Sequence, residues 1–193
     1  MSETLAVFLD RDGVLNEDVD LITHRDQFRI LPGVPEALSR LAQAGFQLIV
    51  ISNQAVVARG MITEPELDEL HEYLRTAITE QGGSRIEAFY FCPHHPNANL
   101  PEYRLVCTCR KPSPGMILQA SRDHGIDLRS SFMVGDRITD IIAGSKAGCK
   151  TVQVTTGKEN DVPIQGTDPM DLAIRPDLVC DGLPAATDWI LKT

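Results

Sequence analysis

Asp10 and Asp12 stand one residue apart, directly after the apolar run Leu5-Ala6-Val7-Phe8-Leu9. Side chains alternate along a strand, so residues i and i+2 face one side and these two charges repel each other. A hard cation between them relieves the repulsion, as does a division of labour between a nucleophile and a proton carrier. Asp12-Gly13 alone also suits a solvated turn. Three further polar clusters decide between these readings. Ser52-Asn53-Gln54 follows another apolar run, and a hydroxyl followed by exposed backbone N–H groups suits a phosphate oxygen. Arg110-Lys111 lies just before the helix start at Ser113-Pro114; the guanidinium offers bidentate contacts to phosphate and the ammonium a point charge. Gly135-Asp136-Arg137-Ile138-Thr139-Asp140 follows Phe132-Met133-Val134. Asp136 is placed as a hard-metal ligand, and Asp140 either supports it or caps a helix. Three of the four clusters close apolar runs, which points to one shared phosphate–Mg²⁺ site.

A second constellation is Cys92-Pro93-His94-His95 with Cys107-Thr108-Cys109. A C-x-H pair, 12 intervening residues and a C-x-C pair supply a closed Cys₃His set for structural Zn²⁺: Cys92, His94, Cys107 and Cys109, with His95 as the rival to His94. The stretch 96–106 holds two prolines and two asparagines and has little core of its own. A metal would organise what burial cannot. Four protein ligands leave no open position, so this zinc would not be catalytic. Because Cys109 directly precedes Arg110-Lys111, an ordered loop would aim those cations.

The segments between these clusters alternate between strand and helix patterns. Strands are expected at Leu5–Leu9, 46–52, 88–91, 132–134 and 151–154, with Val179-Cys180 at the end. Helices are expected at 35–44, ended by Gly45, and from the Thr63-Glu64-Pro65-Glu66 capping box through Leu67, Leu70, Leu74 and Ile78. Further helices are expected from Ser113-Pro114 to Gly125, at Ile138–Ala147 and at 185–191, with a Gly-, Pro- and Asp-rich loop at 155–176. The pattern predicts an α/β, Rossmann-like, mainly parallel sheet with helices on both faces. The 193 residues fit a single domain, 1–193, carrying a zinc loop at 92–109. Cys149 and Cys180 read as packing residues. A net charge of −9 argues against nucleic-acid binding. No signal peptide or membrane-length apolar run is evident, so a cytoplasmic protein is expected.

In the order Asp10-x-Asp12-Gly13, Ser52, Lys111, Gly135-Asp136-x3-Asp140, the chain resembles the haloacid dehalogenase superfamily of phosphotransferases. The resemblance implies Asp10 as nucleophile and Asp12 as general acid/base. It implies Mg²⁺ held by the Asp10 side chain, the Asp12 carbonyl and Asp136, with Ser52 and Lys111 on the transferring phosphoryl group. Within the superfamily, Cys92-Pro93-His94-His95-Pro96, Cys107-x-Cys109-Arg110-Lys111-Pro112-x-Pro114-Gly115-Met116 and Asn53-Gln54-x4-Arg59-Gly60 are similar to the heptose-bisphosphate phosphatase branch. The histidinol-phosphate phosphatases are the nearest rival. Where that branch commonly has Ser-Gly-Ile-Ala-Arg-Gly, this chain has Ala55-Val56-Val57-Ala58-Arg59-Gly60, and Arg137 replaces a common Lys.

There is no room for a large cap domain, so loops at 18–21, 55–59 and 92–109 should shape the pocket. Asp18, Asn53, Arg59, Arg110 and Arg137 are the expected substrate contacts. The arginines suit a second phosphate better than a histidinol amine and imidazole. The expected partner is therefore a small phosphorylated sugar, met by a monomer, in the supply of nucleotide-activated heptose for lipopolysaccharide or another surface glycan. A zinc-stabilised binding module without activity is disfavoured, because Asp10, Asp12, Lys111 and Asp136 are all present.

Overall fold

The computed structural model describes residues 4–157 and 171–193. Six parallel strands form one sheet in the order β3-β2-β1-β4-β5-β6. They are β1 (Leu5–Leu9), β2 (Phe46–Asn53), β3 (Ala88–Cys92), β4 (Phe132–Gly135), β5 (Lys150–Val154) and β6 (Leu178–Cys180). The helices are α1 (Val34–Gln43), α2 (Ala55–Ala58), α3 (Glu64–Glu80), α4 (Gly115–His124), α5 (Ile138–Ala147) and α6 (Leu183–Ile190).

Strand alternation divides the apolar residues between two cores. Val7 and Leu9 of β1, Leu48 and Val50 of β2 and Val134 of β4 pack with Leu38 and Leu41 of α1, Leu74 and Ile78 of α3 and Ile190 of α6. Ala6, Phe8, Ile49, Ile51 and Met133 face the other way, onto Met116, Ile117 and Ala120 of α4 and Ala143 of α5. Helices on both faces bury both sides of the central strands, which is why these read as continuous apolar runs. Cys149 is buried in the second core, whereas Cys180 is half-buried against the first.

The helix signals act as the sequence implies. Thr63 caps α3 with Glu66 reaching back to its backbone, and Gly125 ends α4 in the left-handed conformation. Two details differ. α2 was not anticipated, since four residues are too few to show a helical period. The expected loop at 155–176 lies largely outside the described residues; among those described, Asp171–Ala173 forms a 3-10 turn. The sheet order places β1 beside β4, where the succession of strands reverses, and ligands of open α/β sheets bind beyond the strand ends at such a point.

Candidate active site

Asp10 follows β1 and donates its backbone N–H to Val134 of β4, 2.9 Å away. Its carboxylate meets Lys111 Nζ at 2.9 Å, and the same ammonium lies 2.6 Å from Asp140 of α5. A third donation goes to the Ile51 carbonyl at 2.9 Å, so Lys111 is anchored on β2. Lys111 and Asp140 are 2 % and 0 % exposed, which makes their pairing obligatory. Burial pushes the Asp10 carboxyl up to about 6, although Lys111 opposes the shift.

Asp136 closes beside them. Neither of its carboxylate oxygens has a hydrogen-bond partner among the described residues, and Arg137 Nε is 3.8 Å from Oδ2. Burial, with the charges of Asp10 and Asp140, raises the Asp136 carboxyl to about 8. Oxygens of Asp10, Asp136 and Asp140 all lie within 4.8 Å of one another. Three carboxylates against one buried lysine, with an orphaned carboxylate among them, form a donor set that fits a hard divalent cation. Gly13 makes the approach possible: its φ is +79°, and a Cβ there would lie 2.6 Å from Asp136 Oδ2.

Asp12 has a cation of its own. Arg11 donates from Nε and NH2 to the two Asp12 oxygens at 3.1 and 2.9 Å. Asn16 adds a bond of 2.9 Å and Gln54 one of 3.3 Å. Burial raises the Asp12 pKa, but Arg11 and these hydrogen bonds outweigh it and hold the carboxyl below its ordinary value. The repulsion expected between Asp10 and Asp12 is thus met by a separate cation on each. Gln54 also donates to Ser52 Oγ at 2.8 Å, tying the buried hydroxyl near the end of β2 to Asp12.

Asp10, Asp12, Ser52 and Lys111 open into a pocket of about 660 Å³, within the ordinary range for small-molecule sites. The predicted residues Asp18, Asn53, Arg59, Arg110 and Arg137 line the same pocket, whereas Asp136 sits behind it against Gly13. Arg137 pairs with Asp18 at 2.8 Å, bridging the 18–21 loop to the start of α5. Asn53 accepts from the Lys111 backbone N–H at 3.0 Å and donates to its carbonyl at 3.1 Å, so its amide holds the Lys111 segment in place. Arg59 enters the pocket at the end of α2, the helix that sequence periodicity misses. His95 and Thr139 line it as well.

The cysteine loop closes on itself as expected. Sγ atoms of Cys92, Cys107 and Cys109 are 3.0, 3.2 and 3.6 Å apart, and His94 Nδ1 is 3.3 Å from Cys109 and 3.6 Å from Cys92. A tetrahedral zinc with Zn–S near 2.3 Å has ligand separations of roughly 3.7 Å; the four ligand atoms converge somewhat closer than that, and three thiols with one imidazole are a donor set such an ion takes. Burial raises the Cys92 thiol, which a cation would reverse. His95 is no ligand here: its Nδ1 accepts from the Asn97 N–H at 3.0 Å. Arg110 donates to the His94 carbonyl at 2.9 Å, so the loop steadies that guanidinium directly.

Comparison with known proteins shows the family. The family model described as HAD-hydrolase-like matches residues 108–186. The D-glycero-beta-D-manno-heptose-1,7-bisphosphate 7-phosphatase of Yersinia pestis is 42% identical over 189 residues, covering 97% of this chain and 90% of that protein. Its counterpart in Pasteurella multocida is 43% identical over 154 residues, covering 79% and 83%. The D,D-heptose 1,7-bisphosphate phosphatase of B. bronchiseptica, solved with magnesium and phosphate, superposes with a TM-score of 0.80 at 33% identity, covering 98% of this chain and 99% of that one. The chain belongs to the D-glycero-beta-D-manno-heptose-1,7-bisphosphate 7-phosphatase family of the haloacid dehalogenase superfamily.

Proposed function

We propose that this chain removes the C7 phosphate of D-glycero-D-manno-heptose 1,7-bisphosphate in a Mg²⁺-dependent reaction through an aspartyl-phosphate. The observation that carries the reading is one pocket holding Asp10, Lys111 and Ser52 together with Arg59, Arg110 and Arg137. The first group suits a reacting phosphoryl group and the second a phosphate held at a distance. Asp10 and Asp136 would hold Mg²⁺ with the Asp12 carbonyl, and the ion supplies charge neutralisation for a phosphoryl group meeting a carboxylate.

A carboxylate oxygen of Asp10 forms a bond to phosphorus as the bond from phosphorus to the sugar oxygen breaks. Asp12, a carboxylate at rest beside Arg11, takes the proton that a phosphate monoanion brings into the site and passes it to that leaving oxygen. Asp12, again a carboxylate, then takes a proton from water as the water oxygen attacks the aspartyl-phosphate, releasing inorganic phosphate and free Asp10. Lys111 and Ser52 stabilise charge on the phosphoryl oxygens in both steps. Arg110 and Arg59 hold the distal phosphate, which presents C7 rather than C1 to Asp10. The Cys92, His94, Cys107, Cys109 set would hold Zn²⁺, and His94, whose carbonyl accepts from Arg110, would then keep that guanidinium in place.

The net charge of −9 argues against nucleic acid as partner, while Arg59, Arg110, Lys111 and Arg137 in the pocket suit a small phosphorylated sugar. No described helix is long and apolar enough to cross a membrane. The reading also has the chain acting as a cytoplasmic monomer of one domain. The test is positional phosphate release from heptose 1,7-bisphosphate beside histidinol phosphate. Release of C7 phosphate with little histidinol-phosphate turnover is expected; preferential turnover of histidinol phosphate, or equal release from C1 and C7, would overturn it.

A further inference from the structure

Among the described residues, Arg11 is the largest side chain wholly shielded from solvent, and no chemical step above uses it. A guanidinium is costly to take out of water, so its partners are informative. Two of its nitrogens grip both oxygens of Asp12 at 3.1 and 2.9 Å. The third, NH1, faces Nε2 of His71 at 3.4 Å, while Cζ lies 5.6 Å from the centre of the Phe28 ring. His71 comes from α3 and is itself 2 % exposed. Its ring is stacked on Phe89, with centroids 4.6 Å apart and planes inclined by 11°. Arginine only donates, so Nε2 must accept and Nδ1 must carry the imidazole proton. Burial and the Arg11 charge lower the His71 pKa to about 3, in keeping with a neutral ring.

We propose that Arg11 and His71 are positioning residues for the proton carrier. His71, braced on Phe89, fixes the guanidinium, and the two-pronged contact fixes the plane of the Asp12 carboxylate. The inference deepens the phosphatase reading and rests on Asp12 being its proton carrier. Asn16 and Gln54 each make one bond to Asp12, and a carboxylate held only by such single contacts can rotate about its Cβ–Cγ bond. The fork removes that freedom, which leaves Asp12 aligned first with the leaving oxygen and then with water.

The test uses leaving-group dependence, because a sugar alkoxide needs a proton and acetate does not. Measured kcat/KM reports events up to formation of the aspartyl-phosphate. It would be compared for heptose 1,7-bisphosphate and acetyl phosphate in wild type, Asp12→Asn, Arg11→Met, His71→Phe and His71→Gln. His71→Phe keeps a ring on Phe89 but removes Nε2. Its kcat/KM should fall about tenfold for the bisphosphate and less than about twofold for acetyl phosphate, and Arg11→Met should show about a 100-fold loss with the same bias. His71→Gln, whose amide oxygen can accept from Arg11, should recover most of the His71→Phe loss. If Arg11→Met fails to fold, the two His71 variants still decide the matter. Equal losses on both substrates in His71→Phe, or no loss at all, would overturn the proposal while Asp12→Asn keeps its bias and the phosphatase reading stands. Absence of bias in Asp12→Asn, or a wild type inert to both substrates, would overturn both together.

Discussion

At the scale of single residues, the site separates two carboxylates by giving each its own cation: Lys111 for Asp10 and Arg11 for Asp12. The separation suits the two roles proposed for them, since a nucleophile needs a free charged oxygen and a proton carrier needs fixed geometry. Asp10→Asn should release no measurable phosphate, because an amide cannot attack phosphorus. Asp12→Asn should lower turnover of the sugar bisphosphate by about 10²–10⁴. Near-normal phosphate release by pure Asp10→Asn protein would sink the covalent mechanism. The two neighbouring cations should also behave differently. Arg110→Ala should damage kcat/KM for heptose 1,7-bisphosphate much more than for acetyl phosphate, whereas Lys111→Ala should damage both. Similar losses for the two substrates in Arg110→Ala would contradict its assignment to the distal phosphate. Asp10, Asp12 and Asp136 were legible because charges after apolar runs are conspicuous, and Lys111 because it stands in a basic pair just before a helix start. Arg11 and His71 were not, since nothing in a lone cation or a helix histidine announces burial. The signal for Arg11 lay in the same alternation: if residues 10 and 12 face the site, residue 11 turns towards the interior and needs a partner there.

At the scale of elements, the strands and long helices were readable from periodicity, and two of the three pocket-shaping segments owe their form to something periodicity does not measure. α2 is four residues long, yet it delivers Arg59 to the pocket. The 92–109 loop was legible through its cysteines alone, because metal-ligand spacing is visible without a core. The bond from Arg110 to the His94 carbonyl ties the order of the loop to a pocket residue proposed to hold substrate. Protein purified without added metal should carry one zinc per chain by elemental analysis, and Cys107→Ala should lose it. Full zinc content in Cys107→Ala would reject this ligand set. In the zinc-free protein, hydrogen exchange should quicken over residues 92–111 and KM for the bisphosphate should rise. The sheet should remain protected, since its strands are buried in the two apolar cores and only Cys92 belongs to both loop and sheet.

At the scale of the whole molecule, six parallel strands bring the ends of β1, β2 and β4 to one place, and the fold concentrates negative charge there. Asp10 and Asp136 make the metal-free protein dependent on pH in a definite sense. In an unfolded chain Asp136 titrates near 3.8; in the folded chain it is raised to about 8, and Asp10 moves the same way, to about 6. Between those values the folded state keeps protons that the unfolded state has lost. Stability from these groups is therefore complete below about pH 4 and declines as pH rises towards 8, levelling off beyond it. A divalent cation removes the reason for keeping the protons. Protein dialysed free of Mg²⁺, with no chelator so that zinc stays in place, should lose Tm between pH 5.5 and 8. Added Mg²⁺ should restore it, by about 5–10 °C at roughly 100 times Kd, with the larger rise at pH 8. Cation binding is opposed by bound protons at the lower pH, so an equal Mg²⁺ shift at both pH values would mean that Asp10 and Asp136 are not the groups holding the ion.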